Sequence, residues 1–420
     1  RAEGALMSGV PADYDCDVAI VGGGLVGASL ALALSGLGLS ITLVEAVLPE
    51  DDAQPSFDTR TTALSNGSRR VFEGLGVWEE IAREATAIAK IHISERGRFG
   101  SAVIDAAEQG IPALGFVAEN RVMGRALWRR LRHVTGLTLL APAVVVTATV
   151  DASGSRLALM DGRVIRARLA VAADGIASRV REGAGVGATS TEYGQVALIA
   201  QATPGRAHQQ VAYERFASSG PIAALPIPDG RVGLIWTLEP SEATRILALD
   251  DAPFLAELQE AFGWRLGRLR AISQRYAYPL ALIKADATEA PRTAIIGAAA
   301  QGMHPIAGQG FNLGLRDAAT LAEVLADTLG QDPGSAAVLA RYAQWRRRDR
   351  DAIIGFTDGL VRLFSSRFAP VRFARGLGLL LFDLSPTAKS AMSRLSQGFA
   401  GRLPRLARGL PLLPDRGLLP

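Results

Sequence analysis

Apolar and polar positions follow three rhythms along this chain. The first is an uncharged run over residues 18–44. It is long enough to cross a bilayer, and Gly23 and Gly27 supply the small-residue spacing of packed membrane helices. Its internal punctuation argues otherwise. Residues 16–21 form a β-branched run that ends at a triple glycine, Gly36 and Gly38 interrupt the later part, and residues 40–44 read as a second strand. A buried strand–helix–strand unit explains the apolarity without lipid. Asp13, Asp15 and Asp17 precede the run where a secretory leader would carry positive charge.

The second rhythm is helical. Residues 119–133 place Val122, Leu127 and Leu131 on one side and arginines elsewhere, and a further helix is expected to end near Phe72. The third is strand-like. Residues 90–105, 137–149, 156–160 and 164–173 read as strands, with Asp161-Gly162 as a tight hairpin turn. Across residues 187–285 the strands become separate (195–202, 222–226, 232–237), broken by one helix at about 252–262. From about residue 339 the chain reads as helical, arginine-rich on one side and apolar on the other.

These patterns predict an α/β protein with an inserted antiparallel sheet. Residues 1–14 are expected to be a flexible arm. Residues 15–75, 101–186 and 286–338 would form a discontinuous Rossmann-like nucleotide-binding domain. Residues 76–100 and 187–285 would form a substrate-binding sheet domain, and 339–420 a helical C-terminal region.

Composition changes this picture little. Hydrophobic residues make up 49% and charged residues 20%, as in a folded globular protein. The net charge of +4 and the lack of a basic patch interleaved with aromatics point to no nucleic-acid partner. The single cysteine, Cys16, excludes an intrachain disulfide and suits a cytoplasmic location. Four scattered histidines (His92, His133, His208, His304) offer no metal-ligand spacing, so no metal is expected.

The candidate chemistry sits at three strand–glycine–helix junctions. Gly22-Gly23-Gly24-Leu25-Val26-Gly27 contains G-x-G-x-x-G at Gly22, Gly24 and Gly27. It follows a strand and opens a helix, so its N–H groups can hold a pyrophosphate. Glu45 ends the next strand, where a carboxylate can accept from adenosine ribose hydroxyls. The second junction is Ala172-Ala173-Asp174-Gly175, in which Asp174 can equally cap the following helix. The third runs from Gly297 through His304-Pro305 and Gly308-Gln309-Gly310 to Asn312, a rigid, side-chain-poor wall against which a flat ring could lie. The first fingerprint does not separate FAD from NAD. Three junctions that can converge on one ligand point to FAD.

In this order and spacing the three motifs resemble those of the class A flavoprotein aromatic hydroxylases, over residues 17–398. Phe57-Asp58-Thr59-Arg60-Thr61-Thr62-Ala63-Leu64 and the run from His304 to Asp317 are similar to the ubiquinone-biosynthesis branch. Gly76-Val77-Trp78, Tyr278-Pro279-Leu280 and residues 261–266 and 364–370 look most like 2-polyprenyl-6-methoxyphenol hydroxylases. The resemblance implies a p-hydroxybenzoate-hydroxylase-like fold. FAD would be held by Gly22, Gly24, Gly27, Glu45, Arg60, Arg125, Asp174, Gly297, Pro305, Gly308, Gln309, Gly310 and Asn312. It implies NAD(P)H as electron donor, and hydroxylation of a polyprenyl phenol by O2 through a C4a-hydroperoxyflavin. The product would be 2-polyprenyl-6-methoxy-1,4-benzoquinol. Another ring position, a small phenol, or a non-catalytic FAD-holding scaffold subunit are the alternatives.

The flavin carries the oxygen chemistry, so the catalytic residue is left unknown. His304 and Pro305 are flavin-facing candidates, although ordering of its own loop through a backbone hydrogen bond is the favoured role for His304. Many relatives place Asp or Asn where this chain has Ala298, which removes one ribityl hydrogen bond, about 1 kcal/mol. A membrane-resident tail further implies a ubiquinone-biosynthesis complex and a peripheral inner-membrane contact. The candidate face has Leu360, Leu363, Phe364 and Phe368 interleaved with Arg362, Arg367, Arg372 and Arg375; a helical cap packed on the core is the alternative.

Overall fold

The computed structural model describes residues 13–48, 57–97, 100–151, 154–217, 219–303, 308–365, 378, 381–399 and 401–413. Two large sheets organise them. The first is eight-stranded and has a parallel centre, in the order Thr293–Ile295, Val164–Ala172, Asp13–Val21, Ile41–Val44, Leu137–Leu140. Its central strand has Val18, Ala19 and Ile20 at 0% exposure, because both faces are covered. The helices Leu25–Leu34, Asn120–Leu131 and Gln309–Asp327 cover one face. The hairpin Val145–Val150/Ser155–Leu159 and the short helix Arg179–Gly183 cover the other. The uncharged run is therefore a buried strand–helix–strand unit. Among the described residues, no helix is long and apolar enough to cross a membrane.

The second sheet is nine-stranded. Its order is Gln301–Gly302, Tyr276–Ala285, Ala188–Thr203, Val232–Leu238, Gly220–Pro226, Val211–Ala217, Lys90–Glu95, Ser101–Asp105, with Ala271–Ile272 also on Ala188–Thr203. All these pairs are antiparallel except Val211–Ala217 with Lys90–Glu95. Alternation sorts the strands: Leu198, Ile222, Ala224, Leu234 and Trp236 face a core closed by the helix Asp251–Phe262. The opposite face packs, through Ala212, on Ile88 and Val117 of a small three-stranded sheet, Thr61–Ser65, Gly115–Glu119 and Thr86–Ile88.

Several boundaries differ from the sequence expectation. The division expected at residue 100/101 falls inside a hairpin, because Ser101–Asp105 pairs with Lys90–Glu95 in the second sheet. The strand expected over 137–149 is two strands, Leu137–Leu140 and Val145–Val150, separated at Pro142, which has no N–H for a ladder. A helix over Pro240–Leu247 precedes the expected one. Asp13 and Tyr14, expected in the flexible arm, already belong to the first strand.

Candidate functional site

The strand Asp13–Val21 ends in the first glycine turn. Gly22 has φ +103°, and a Cβ there would lie 2.3 Å from the Ala173 carbonyl oxygen. A Cβ on Gly27 would lie 1.9 Å from the Gly22 carbonyl oxygen. These two glycines are required by backbone lying against backbone. The third, Gly24, is the N-cap of Leu25–Leu34 and provides no side-chain cap. Gly22, Gly24, Leu25 and Val26 line a cleft of about 730 Å³, so the first N–H groups of a buried helix open onto it.

Glu45 follows the neighbouring strand and also lines the cleft. One carboxylate oxygen accepts from Gly23 N–H at 2.5 Å and the other from Val47 N–H at 3.0 Å. Lone pairs remain for a ligand, since a carboxylate has about four acceptor sites. Trp128 closes the loop from behind: its Nε1–H donates to the Gly23 carbonyl at 2.8 Å. The sequence reading missed this residue. The signal was a Trp next to the apolar face of a predicted helix, whose N–H needs a buried partner.

Asp174 follows the strand Val164–Ala172. It accepts from the Ser178 hydroxyl, from Arg179 N–H at 2.9 Å and from Val180 N–H at 3.3 Å, so the helix-capping role is realised. Burial pushes its carboxyl above the usual range, and these donors only partly offset that. It lines the cleft together with Gly175 and Arg179.

The third turn begins at Gly297, with φ +61°. Behind it, Asp317 accepts from Gly297 N–H at 3.1 Å, Gln301 Nε2 at 2.7 Å and Arg346 Nε at 2.7 Å. Arg346 is fully buried and also pairs with Asp349, which Arg316 reaches at 3.1 Å. Burial alone would push the Arg346 guanidinium down, but Asp317 and Asp349 outweigh it and hold it above its ordinary value. Arg350 donates to the carbonyls of Ala285 and Ala300, at 2.7 and 3.0 Å. An ionic lattice thus fixes the turn from beneath. In the sequence, Arg346 looks like one of three solvated arginines; only its spacing to Asp349 and Arg350 hints at one buried side.

The remaining candidates divide. Arg60 lines the cleft, pairs with Asp58 and stacks over Tyr278 at 5.0 Å. Arg125 is not among the cleft-lining residues; its guanidinium pairs with Glu84 and reaches Glu80 at 4.0 Å, because the helix Asn120–Leu131 turns that position toward Trp78–Ala82. Asn312 is also turned away from a cofactor role. Its Oδ1 accepts from Ser65 N–H (2.8 Å) and Ser68 Oγ (2.7 Å), and its Nδ2 donates to the carbonyls of Ala63 (2.9 Å) and Gly308 (2.7 Å). Both donors and both lone pairs are used. Gln309 is buried at the start of Gln309–Asp327 and does not line the cleft. Gly310 does, and a Cβ there would meet nothing within 4 Å. His304 and Pro305 lie outside the described residues, as does most of the C-terminal arginine-rich stretch.

A second cavity of about 320 Å³ adjoins the cleft, and Met303, Gly310 and Phe311 line both. Its floor is the free face of the second sheet: Ile91, Ala212, Glu214, Ala223, Leu225 and Ile235. Trp236, between the levels of Ile235 and Thr237 on its strand, points to the other face and packs edge-on against Phe254.

The cleft fits a flavin dinucleotide. It has an uncapped helix N-terminus, an adjacent carboxylate with spare lone pairs, and an unobstructed glycine, Gly310, where the apolar chamber begins. A family model described as "FAD binding domain" matches residues 15–357. The chain is 40% identical over 406 residues to ubiquinone hydroxylase UbiL of Rhodospirillum rubrum, covering 96% of this chain and 94% of the relative. It is 33% identical to the 3-demethoxyubiquinol 3-hydroxylase of Escherichia coli, covering 91% and 98%. The crystal structure of p-nitrophenol 4-monooxygenase PnpA from Pseudomonas putida superposes with a TM-score of 0.76 at 18% identity, covering 93% and 99%, which shows the shared fold. The chain therefore belongs to the FAD binding domain family, among the ubiquinone-biosynthesis members of the class A flavin-dependent aromatic hydroxylases.

Proposed function

We propose that this enzyme hydroxylates the ring of 2-polyprenyl-6-methoxyphenol to give 2-polyprenyl-6-methoxy-1,4-benzoquinol, using NAD(P)H and O2. One observation carries this reading: the glycine-lined cleft runs through Met303, Gly310 and Phe311 into a chamber whose floor is apolar except for one carboxylate. When bound, FAD supplies hydride acceptance, O2 activation and hydroxyl transfer. The open amides of Leu25–Leu34 would hold its pyrophosphate and Glu45 its adenosine ribose. Arg60, Asp174, Gly297 and Gly310 would line the remainder. Ile91, Leu225, Ile235 and Phe311 would hold the phenol ring and keep water from the reacting carbon.

The chamber has room for a ring and the first part of a prenyl chain, so a long tail must leave it. We assign the tail's surroundings to the amphipathic C-terminal stretch, lying against the inner membrane; flotation with anionic vesicles tests this. The similarity to a 3-demethoxyubiquinol 3-hydroxylase favours a second reading, hydroxylation at another ring position of a later precursor. Aerobic turnover of the FAD-loaded enzyme with NADPH or NADH decides between them. A short-tailed 2-prenyl-6-methoxyphenol should yield the 1,4-quinol by mass and ring position. Turnover only of the demethoxyquinol would establish the second reading.

A further inference from the structure

The catalytic reading uses the chamber's apolar walls but leaves one of its residues unexplained. Glu214 lies in the strand Val211–Ala217, on the face that carries Ala212. Its strand neighbours at the same level are Ile93 on one side and Ala223 on the other, with Ile235 next beyond Ala223. Across the chamber stand Thr61, Ala63 and Ile88 of the small sheet, and Gly310 and Phe311 at the helix start. Glu214 is the one carboxylate among the described lining residues and makes no hydrogen bond or ion pair with them.

Of the charged neighbours, Glu95 lies on the same face as Glu214, two residues along the adjacent strand from Ile93 and opposite Phe216. His92, Tyr213 and Arg215 occupy alternate positions, on the other face, where Tyr213 packs against Phe262 and Arg215 reaches Ser94. Beyond Ser101–Asp105, Asp383 accepts from Val103 N–H and pairs with Lys389 at 3.1 Å. A carboxyl without a partner in an apolar chamber is costly unless a ligand completes it.

We propose that Glu214 is a catalytic residue that accepts the hydrogen bond, and then the proton, of the phenolic hydroxyl. The inference rests on the proposed function and names the group that makes the ring reactive. As the O–H proton passes to the carboxylate, the oxygen's electrons enter the ring and the ring forms its new C–O bond to the hydroxyl delivered at the adjoining cleft, while the O–O bond derived from O2 breaks and its other oxygen leaves as water. The resulting dienone loses the proton of the attacked carbon to solvent and regains aromaticity, and Glu214 returns its proton to the original oxygen. No oxidant beyond the O2 and NAD(P)H of the parent reaction is needed. Burial pushes the Glu214 carboxyl up to about 7, which suits a group that takes and returns a proton near neutrality.

The test is ligand binding to the oxidised, FAD-loaded enzyme without reductant, using 2-prenyl-6-methoxyphenol and its O-methyl ether. Ionised Glu214 can accept from the phenol, whereas only the protonated acid can donate to the ether. Between pH 6 and 8 phenol affinity should therefore rise about tenfold while ether affinity falls. Both profiles should flatten in E214Q, and product formation should fall about 100-fold. The opposed slopes in the wild-type enzyme are informative even where E214Q folds poorly. Parallel slopes for the two ligands, or opposed slopes that persist in folded E214Q, would overturn the assignment while leaving the hydroxylase reading intact. Failure of the wild-type enzyme to bind either aromatic would overturn both.

Discussion

Replacing Asp317 by Asn tests whether the ionic lattice sets the shape of the cleft. The change keeps size and removes charge. Its better orientation places the amide oxygen where Oδ2 now accepts from Gly297 N–H and Gln301 Nε2. The amide NH2 then faces Arg346 Nε, donor against donor, at a site that now has a 2.7 Å bond. Arg346 has 0% exposure, so water cannot replace the lost acceptor. Removing one partner of a buried pair costs about 3–5 kcal/mol. Asp349 still serves Arg346, which favours the lower end, about 3 kcal/mol. Urea unfolding of the FAD-free protein should show the midpoint falling accordingly, and FAD affinity should drop at least tenfold because the Gly297 turn loses its anchor. Adding R346M removes the stranded cation and should restore part of the stability. A D317N midpoint equivalent to less than 1 kcal/mol, or a double variant whose losses simply add, would refute the role given to the lattice.

Other consequences follow from the same geometry. Trp128→Phe leaves the Gly23 carbonyl without its donor, so FAD should bind about tenfold more weakly, about 1–2 kcal/mol, by flavin fluorescence titration. Gly27→Ala forces a methyl group against the Gly22 carbonyl; the protein should purify without the visible absorbance of bound flavin. Ala298 is exposed to the cleft, so Ala298→Asp should tighten FAD about fivefold, about 1 kcal/mol. Because the folded-state pKa of Glu214 is raised from 4.5 to about 7, its contribution is present below about pH 4.5 and lost as pH rises to 7. That loss is at most about 3 kcal/mol, and E214Q should remove it from the stability-versus-pH curve.

The parts of the site legible in the sequence are those made by backbone. Gly22, Gly24 and Gly27 need no partner side chain to be recognised, because strand, turn and helix lie in consecutive sequence, and Glu45 follows by a fixed count. The apolar run and the alternating strands are local patterns as well. What the sequence concealed is non-local. Asn312 is a clamp because Ser65 and Ser68, more than 240 residues away, meet it. Arg125 leaves the cleft because Glu80 and Glu84 attract it from a neighbouring helix. Arg346 and Trp128 are important for what lies across from them. Glu214 was open to inspection, since alternation puts it beside Ala212 on an apolar face. A glutamate between Tyr213 and Arg215 reads more naturally as part of a solvated edge.

The way the strands are drawn from the chain also constrains how the protein is made. Asp13–Val21 must wait for Val164–Ala172, and that strand in turn for Thr293–Ile295, before its ladders are complete. The second sheet borrows Lys90–Glu95 and Ser101–Asp105 from one side of the first body and Gln301–Gly302 from the other. At about 5–20 residues per second, the last of these strands emerges on the order of 15–60 s after the first. During that time β-branched edges stand unpaired, a template for association with other chains. No single cut in the chain leaves both sheets whole, so a ribosome pause or a truncation before residue 302 would release an aggregation-prone chain and not a smaller working domain.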